Sequence, residues 1–65
     1  TNLTTAEQNI LRLINLPGKD IADALGIAES TVKKHLWNIF QKLGISSRHE
    51  AIDFAVRVGL LTSRR

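Results

Sequence analysis

Apolar residues recur with the period of an α-helix in four segments of the chain, and short runs of turn-forming residues separate these segments. In the first segment, Ile10, Leu11 and Ile14 have the spacing that places side chains on one face of a helix. No segment shows the every-second-residue alternation of a half-buried strand. The pattern therefore predicts an all-α fold of four helices, at residues 5–15, 19–25, 29–43 and 48–58.

Capping residues and turn formers mark the ends of the predicted helices. Thr4 and Glu7 have the Ser/Thr-x-x-Glu spacing of a capping box, in which each side chain bonds the backbone amide of the other residue. Ser47-Arg48-His49-Glu50 has the same form and is predicted to be a second capping box. Pro17 ends the first helix because proline cannot continue it. A glycine follows each of the other three helices, where a left-handed residue is favoured: Gly26, Gly44 and Gly59.

The third predicted helix has one buried face and one free face. At about 100° per residue, four apolar side chains fall within about 40° of the first of them and form a core-facing stripe: Val32, Leu36, Ile39 and Leu43. The opposite side gathers a hydroxyl, cations, amides and one aromatic ring, with Lys33 at the flank: Ser30, Lys34, Trp37, Asn38 and Gln41. Lysine reaches guanine acceptors or phosphates, and amides can pair with adenine, so this face suits a DNA major groove.

Residues 18–37 have the spacing of a helix-turn-helix motif. Ala22 stands where two helices approach closely, Gly26 stands in the turn where a positive φ is needed, and Val32 wedges the second helix against the first. Ile21, Leu25 and Ile27 supply the remaining apolar contacts. The set of residues at these offsets predicts that the helix at 29–43 is the recognition helix.

Composition and charge narrow the class of protein. Sixty-five residues make one small core, and without cysteine neither a disulfide nor a thiolate metal site can stabilise it. The net charge is +3, but residues 1–29 carry −2 and residues 30–65, including Arg64 and Arg65, carry +5. A basic half predicts a polyanionic partner. The lack of methionine predicts a domain excised from a larger regulator, and the lack of a long apolar run or signal peptide predicts the cytoplasm.

Short runs along nearly the whole chain carry a family pattern: Leu3-Thr4, Lys19-Asp20-Ile21-Ala22, Leu25-Gly26-Ile27, Thr31-Val32-Lys33-x-His35-x-x-Asn38-Ile39, Lys42-Leu43-Gly44-Ile45 and Glu50-Ala51. They resemble the C-terminal domain of LuxR/NarL-type (GerE-like) bacterial transcription regulators. The resemblance implies a four-helix domain that binds a near-palindromic promoter site as a homodimer. It also implies a separate N-terminal sensor domain, as in a two-component response regulator or a signal-sensing regulator.

The chain departs from the family pattern at two positions. Gly18 replaces an asparagine, in a turn between the first two helices that is about two residues shorter than usual in the family. Ala28 stands where the family often has a serine or threonine that caps the recognition helix. An alanine there costs the helix about 1 kcal/mol and removes a hydroxyl that could contact phosphate.

Eight residues are predicted to contact DNA. Lys34 and Trp37, with Lys33 and Gln41, are expected to read base edges, and the others to contact phosphate: Ser30, Thr31, Lys19 and Arg48. Two alternatives stay open, because Trp37 could instead fold back onto a neighbouring helix and Arg48 could pair with a carboxylate such as Glu7. His35 is predicted to be structural, bonding a backbone carbonyl or a phosphate. No set of residues predicts an enzyme, a cofactor or a metal site.

The fourth helix has an apolar arc of about 200°, whereas packing on one side needs only about 100°. Ile52, Phe54 and Val56 are therefore predicted to form a dimer interface, although Leu60 and Leu61 could cover part of the arc. The alternative function is a protein-interaction module that docks on RNA polymerase or another protein through Trp37 and this helix.

Overall fold

A computed structural model describes residues 3–61, so Arg64 and Arg65 of the basic half lie outside the described residues. Four helices follow one another: α1 (Thr5–Arg12), α2 (Gly18–Leu25), α3 (Glu29–Leu43) and α4 (Arg48–Arg57). Residues 3–61 contain no strand, which confirms the all-α prediction. None of these helices is long and apolar enough to cross a membrane.

The core lies between α3 and the other helices. α3 packs against both α2 and α1, and α1 also packs against α4. Val32 and Ile39 of the predicted stripe are fully buried, while Leu36 and Leu43 are half-buried against the same cluster. The remaining buried apolar residues are Ile10, Leu11, Ile14, Ile21, Ala22, Ala51 and Ala55. The free face of α3 therefore points away from the core.

The capping box of α1 is confirmed, but the predicted end of this helix is wrong. The Thr4 amide donates to Glu7 Oε1 at 2.9 Å, and the Glu7 amide donates to Thr4 Oγ1 at 3.1 Å. The helix ends at Arg12 rather than residue 15, and tighter three-residue turns follow, with amides of Leu13 and Ile14 bonding the carbonyls three residues earlier. Pro17 disfavours helical geometry at the residue before it, so the helix cannot continue through Leu16.

The turn between α2 and α3 has the predicted form. Gly26 has φ 68° and ψ 35°, a left-handed conformation that a side chain would strain. The amide of Ile27 bonds the carbonyl of Ala22 at 3.0 Å, which closes the end of α2. Ala22 is only 5% exposed, as expected for the close approach of two helices. Gly44 ends α3 in the same left-handed conformation.

The start of α4 differs from the predicted capping box in one bond. The Ser47 hydroxyl accepts from the Glu50 amide at 3.3 Å, as expected. The Glu50 carboxylate, however, accepts from the amide of Ser46 at 3.0 Å and not from that of Ser47. α4 ends at Arg57, one residue before the predicted end. Beyond it, the amides of Leu60 and Leu61 bond the Ala55 carbonyl and turn the chain back towards the core.

Candidate nucleic-acid interface

The free face of α3 presents most of the residues predicted to contact DNA. Four of them fall within about 60° of one another around the helix: Ser30, Lys34, Trp37 and Gln41. All four are exposed, as is Lys33 at the flank, whereas Thr31 is half-buried. Lys19 is exposed in the first turn of α2, the other helix of the motif. The structure thus groups the predicted base-reading residues on one surface.

Trp37 is 63% exposed, so the alternative in which it folds back onto a neighbouring helix does not occur. A tryptophan loses a large apolar area from water when a partner covers it. Its exposure on the face opposite the core stripe leaves the ring available to a partner molecule.

Lys33 and Lys34 keep their charges unpaired within the described part of the chain. Neither forms an ion pair or a hydrogen bond among residues 3–61. Glu29, in the first turn of α3, supplies a negative charge near the positive end of the helix dipole. The positive charge of the free face therefore lies beyond the first turn, beside Trp37.

The first residues of α2 and α3 lack side-chain caps. Pro17 and Ala28 are the N-caps, and neither makes a side-chain hydrogen bond to its helix. This confirms the expected absence of a cap at Ala28.

At Gly18, a Cβ would meet only Glu29, whose Oε2 would lie 3.8 Å away. Space therefore does not require glycine at the position where the family has asparagine.

Arg48 does not pair with Glu7, and that alternative is wrong. Its Nη1 donates to the carbonyl oxygens of Ile14 at 2.6 Å and of Leu16 at 3.0 Å, in the segment between α1 and α2. Sequence reasoning missed this contact. The available signal was the short segment before Pro17, whose carbonyls need partners that no helix provides.

Glu7 pairs instead with Lys42, whose Nζ lies 2.8 Å from Glu7 Oε1. Glu7 is 3% exposed, and the same oxygen also accepts from the Thr4 amide. The bonds from Lys42 and Thr4 lower the pKa of Glu7, although burial opposes this. The sequence signal was the spacing of Glu7 to Ile10 and Ile14, which puts the carboxylate on the buried face, where it needs a cation.

His35 is half-buried at the edge of a cavity of about 170 Å³. The cavity lies between α1, α2 and α3 and is also lined by Asn9, Ile10, Leu25 and Ile27. His35 makes no hydrogen bond within residues 3–61, so the predicted bond to a backbone carbonyl is absent there. Its alternative role as a phosphate contact stays a prediction.

The outer side of α4 is only partly covered. Ala51 and Ala55 are fully buried on the inner side of this helix. Ile52, Phe54 and Val56 are half-buried, with Ile52 and Phe54 packed against the core and Leu60 and Leu61 covering part of the cluster. Val58, which follows the last residue of α4 and was not among the predicted interface residues, is 51% exposed.

Comparisons with known proteins agree with this geometry. Residues 1–55 match the family described as bacterial regulatory proteins, luxR family. The transcriptional regulatory protein YdfI of Bacillus subtilis is 45% identical over 64 residues, which cover 95% of this chain and 30% of YdfI. The HTH-type transcriptional regulator MalT of Yersinia pestis is 40% identical over 58 residues, which cover 86% of this chain and 6% of MalT.

A putative HTH-type transcriptional regulator of Mycobacterium tuberculosis is 40% identical over 60 residues, which cover 89% of this chain and 7% of that protein. The chain thus spans less than a third of the length of each of these relatives. The match over residues 1–55, together with the four helices and the left-handed turn at Gly26, shows that the chain belongs to the LuxR family of bacterial regulatory proteins.

Proposed function

We propose that this domain binds duplex DNA in a sequence-specific way and thereby regulates transcription, with α3 as the recognition helix in the major groove. The observation that carries the proposal is the free face of α3. This face places the exposed Trp37 beside Lys33 and Lys34, which are unpaired within residues 3–61. The buried stripe on the opposite side of α3 fixes the orientation of the helix. An α-helix of this kind fits the width of the major groove.

The residues divide into two roles. Lys34 and Trp37, with Lys33 and Gln41, read base edges, since lysine reaches guanine acceptors and an aromatic ring packs on thymine methyl groups. Ser30, Thr31 and Lys19 contact phosphates and hold the helix in register. All but the half-buried Thr31 are exposed, which leaves them accessible to a bound duplex.

The full protein is proposed to be the output part of a response regulator or signal-sensing regulator in the bacterial cytoplasm, because its named relatives are transcriptional regulators several times longer than this chain. It binds its operator as a homodimer joined through α4. The half-buried Ile52, Phe54 and Val56 and the exposed Val58 support this interface.

Replacement of Lys34 by alanine tests the base-reading role. Selection of bound duplexes from a random pool first defines the preferred site. We expect Lys34→Ala to weaken binding to that site by about 1–3 kcal/mol and to relax the preference at one base position. Fluorescence anisotropy with the preferred duplex and its single-base variants measures both effects. Equal weakening on every sequence would make Lys34 a phosphate contact only.

A protein-interaction module is the second candidate, favoured by the exposure of Trp37 and Val58. Such a module would dock on RNA polymerase or another protein. Salt separates the two functions, because DNA binding releases counterions and weakens steeply between low and moderate salt. If selection enriched no duplex, or if no duplex bound even at low salt, the DNA-binding proposal would fail.

The proposed dimer is tested at Val58, whose exposure makes a charged substitution compatible with folding. We expect Val58→Arg to abolish cooperative binding to two half-sites and to leave binding to one half-site unchanged, since a charge would be buried without a partner in the dimer. Arginine is chosen because it does not repel DNA. Retained cooperativity in titrations of one-site and two-site duplexes would exclude Val58 from the interface.

A further inference from the structure

The segment between α1 and α2 depends on Arg48 for two of its backbone hydrogen bonds. Within residues 13–17, the Leu13 carbonyl accepts from the Leu16 amide, and the Pro17 carbonyl accepts from the Ile21 amide. The carbonyls of Ile14 and Leu16 accept instead from Nη1 of Arg48, at 2.6 and 3.0 Å. A guanidinium bonding two carbonyls makes strong, charge-assisted contacts with fixed directions.

This segment leads directly into the helix-turn-helix motif. α2 begins at Gly18, its N-cap Pro17 provides no side-chain bond, and α2 packs mainly against α3. The direction in which the chain enters α2 therefore depends on what holds residues 14–17. Ile14 is anchored in the core by burial, and Arg48 adds a polar anchor from the first residue of α4.

We infer that Arg48 is a positioning residue that fixes the entrance of α2 relative to α4 through the carbonyls of Ile14 and Leu16. This inference rests on the proposed DNA-binding function, because its consequence is a fixed placement of the motif relative to the α4 dimer interface. Both N–H groups of Nη1 have acceptors in the 14–17 segment, so this nitrogen does not contact phosphate.

Two substitutions separate positioning from charge. Arg48→Gln removes both the positive charge and the planar guanidinium group. Arg48→Lys keeps the positive charge but replaces the planar guanidinium group with a flexible ammonium group. Arg57 provides the matched control, because it lies on the same helix, is exposed and makes no hydrogen bond within residues 3–61. Arg57→Gln and Arg57→Lys therefore change the same charge without touching the 14–17 segment.

Amide hydrogen exchange of the free 65-residue chain, followed by NMR, tests the anchor without DNA. We expect both Arg48 variants to accelerate exchange at the amides of Leu16 and Ile21 by about tenfold, as local opening predicts, while amides in the middle of α3 keep their rates. The Arg57 variants are expected to match the unaltered chain. Uniform acceleration at all protected amides, or none at Leu16 and Ile21, would overturn the inference.

DNA titrations over a range of salt concentrations complete the test. A positioning role predicts about tenfold weaker binding in both Arg48 variants, with an unchanged slope of affinity against salt. If Arg48 contacted a phosphate, Arg48→Lys would retain the DNA affinity of the unaltered chain, and in Arg48→Gln the slope of log affinity against log salt concentration would be smaller by about one. That outcome would overturn the inference. If the unaltered chain selected no duplex but the exchange pattern held, the proposed function would fail while the anchor would be supported.

Discussion

Replacement of Lys42 by methionine is expected to destabilise the domain by about 1–3 kcal/mol near pH 7, because it leaves the buried Glu7 carboxylate without its cation, although the 37% exposed lysine position lets water screen part of the loss. For a domain of this size, such a loss is a large part of the free energy of unfolding, at roughly 0.05–0.15 kcal/mol per residue. Urea denaturation followed by circular dichroism measures the change. Methionine keeps the unbranched stem of the lysine side chain and lacks only the terminal ammonium group, so the charge is the main difference.

The pH dependence identifies the ion pair as the cause. The pKa of Glu7 is lowered in the folded state, so the carboxylate contributes stability that is present above its unfolded pKa and is lost as pH falls through the folded pKa. In the variant the carboxylate is buried without a cation, which raises its pKa. The difference in free energy of unfolding between the unaltered chain and Lys42→Met is therefore expected to shrink as pH falls below the ordinary range of glutamate pKa values.

Lys33→Met is the control for this experiment, because Lys33 is exposed on the same helix and has no ion pair within residues 3–61. We expect it to change the free energy of unfolding by less than about 0.5 kcal/mol. A Lys42→Met deficit that is the same at acidic and neutral pH would attribute the loss to packing of the lysine stem.

Reversal of both charges on the free face, by Lys33→Glu with Lys34→Glu, is expected to weaken DNA binding at least about 100-fold. Each lysine contact is worth about 1–3 kcal/mol, and each glutamate adds repulsion from the phosphates. The free energy of unfolding should change little, since both side chains are exposed. Anisotropy titrations and urea denaturation of the same samples measure the two quantities.

A control with the same change in net charge is Arg12→Glu with Arg57→Glu. Both arginines are exposed, and they lie in the last turns of α1 and α4, outside α3. We expect these substitutions to weaken binding much less, because the effect of charges farther than a Debye length is screened. Equal losses in the two double variants would show that net charge, and not the α3 face, controls affinity.

Sequence predicts those features that arise from neighbouring residues. The left-handed turns at Gly26 and Gly44 and the capping box of Thr4 and Glu7 depend on a few adjacent positions, and the structure confirms them. The periodicity of α3 likewise fixes its buried stripe. The exposure of Trp37 needed the structure, because a helical pattern shows where a side chain points but not whether another helix covers it.

The errors concern side chains that reach across the fold. Glu7 and Lys42 are 35 residues apart in the sequence, and Arg48 and Ile14 are 34 residues apart. Such pairs depend on how helices cross, which local spacing does not encode. The early end of α1 at Arg12 and the Glu50 bond to Ser46 are local, but several turn geometries of similar energy compete at these positions.

The shared oxygen of Glu7 couples two distant parts of the fold. Oε1 closes the first turn of α1 and also receives the ammonium group from the last turn of α3. Because the capping bond restricts the carboxylate, the contact with Lys42 costs less conformational entropy than it would on a freely rotating side chain. The Thr4 contact and the Lys42 contact are therefore expected to be coupled, so that loss of either one weakens the other and loosens both the beginning of α1 and the end of α3.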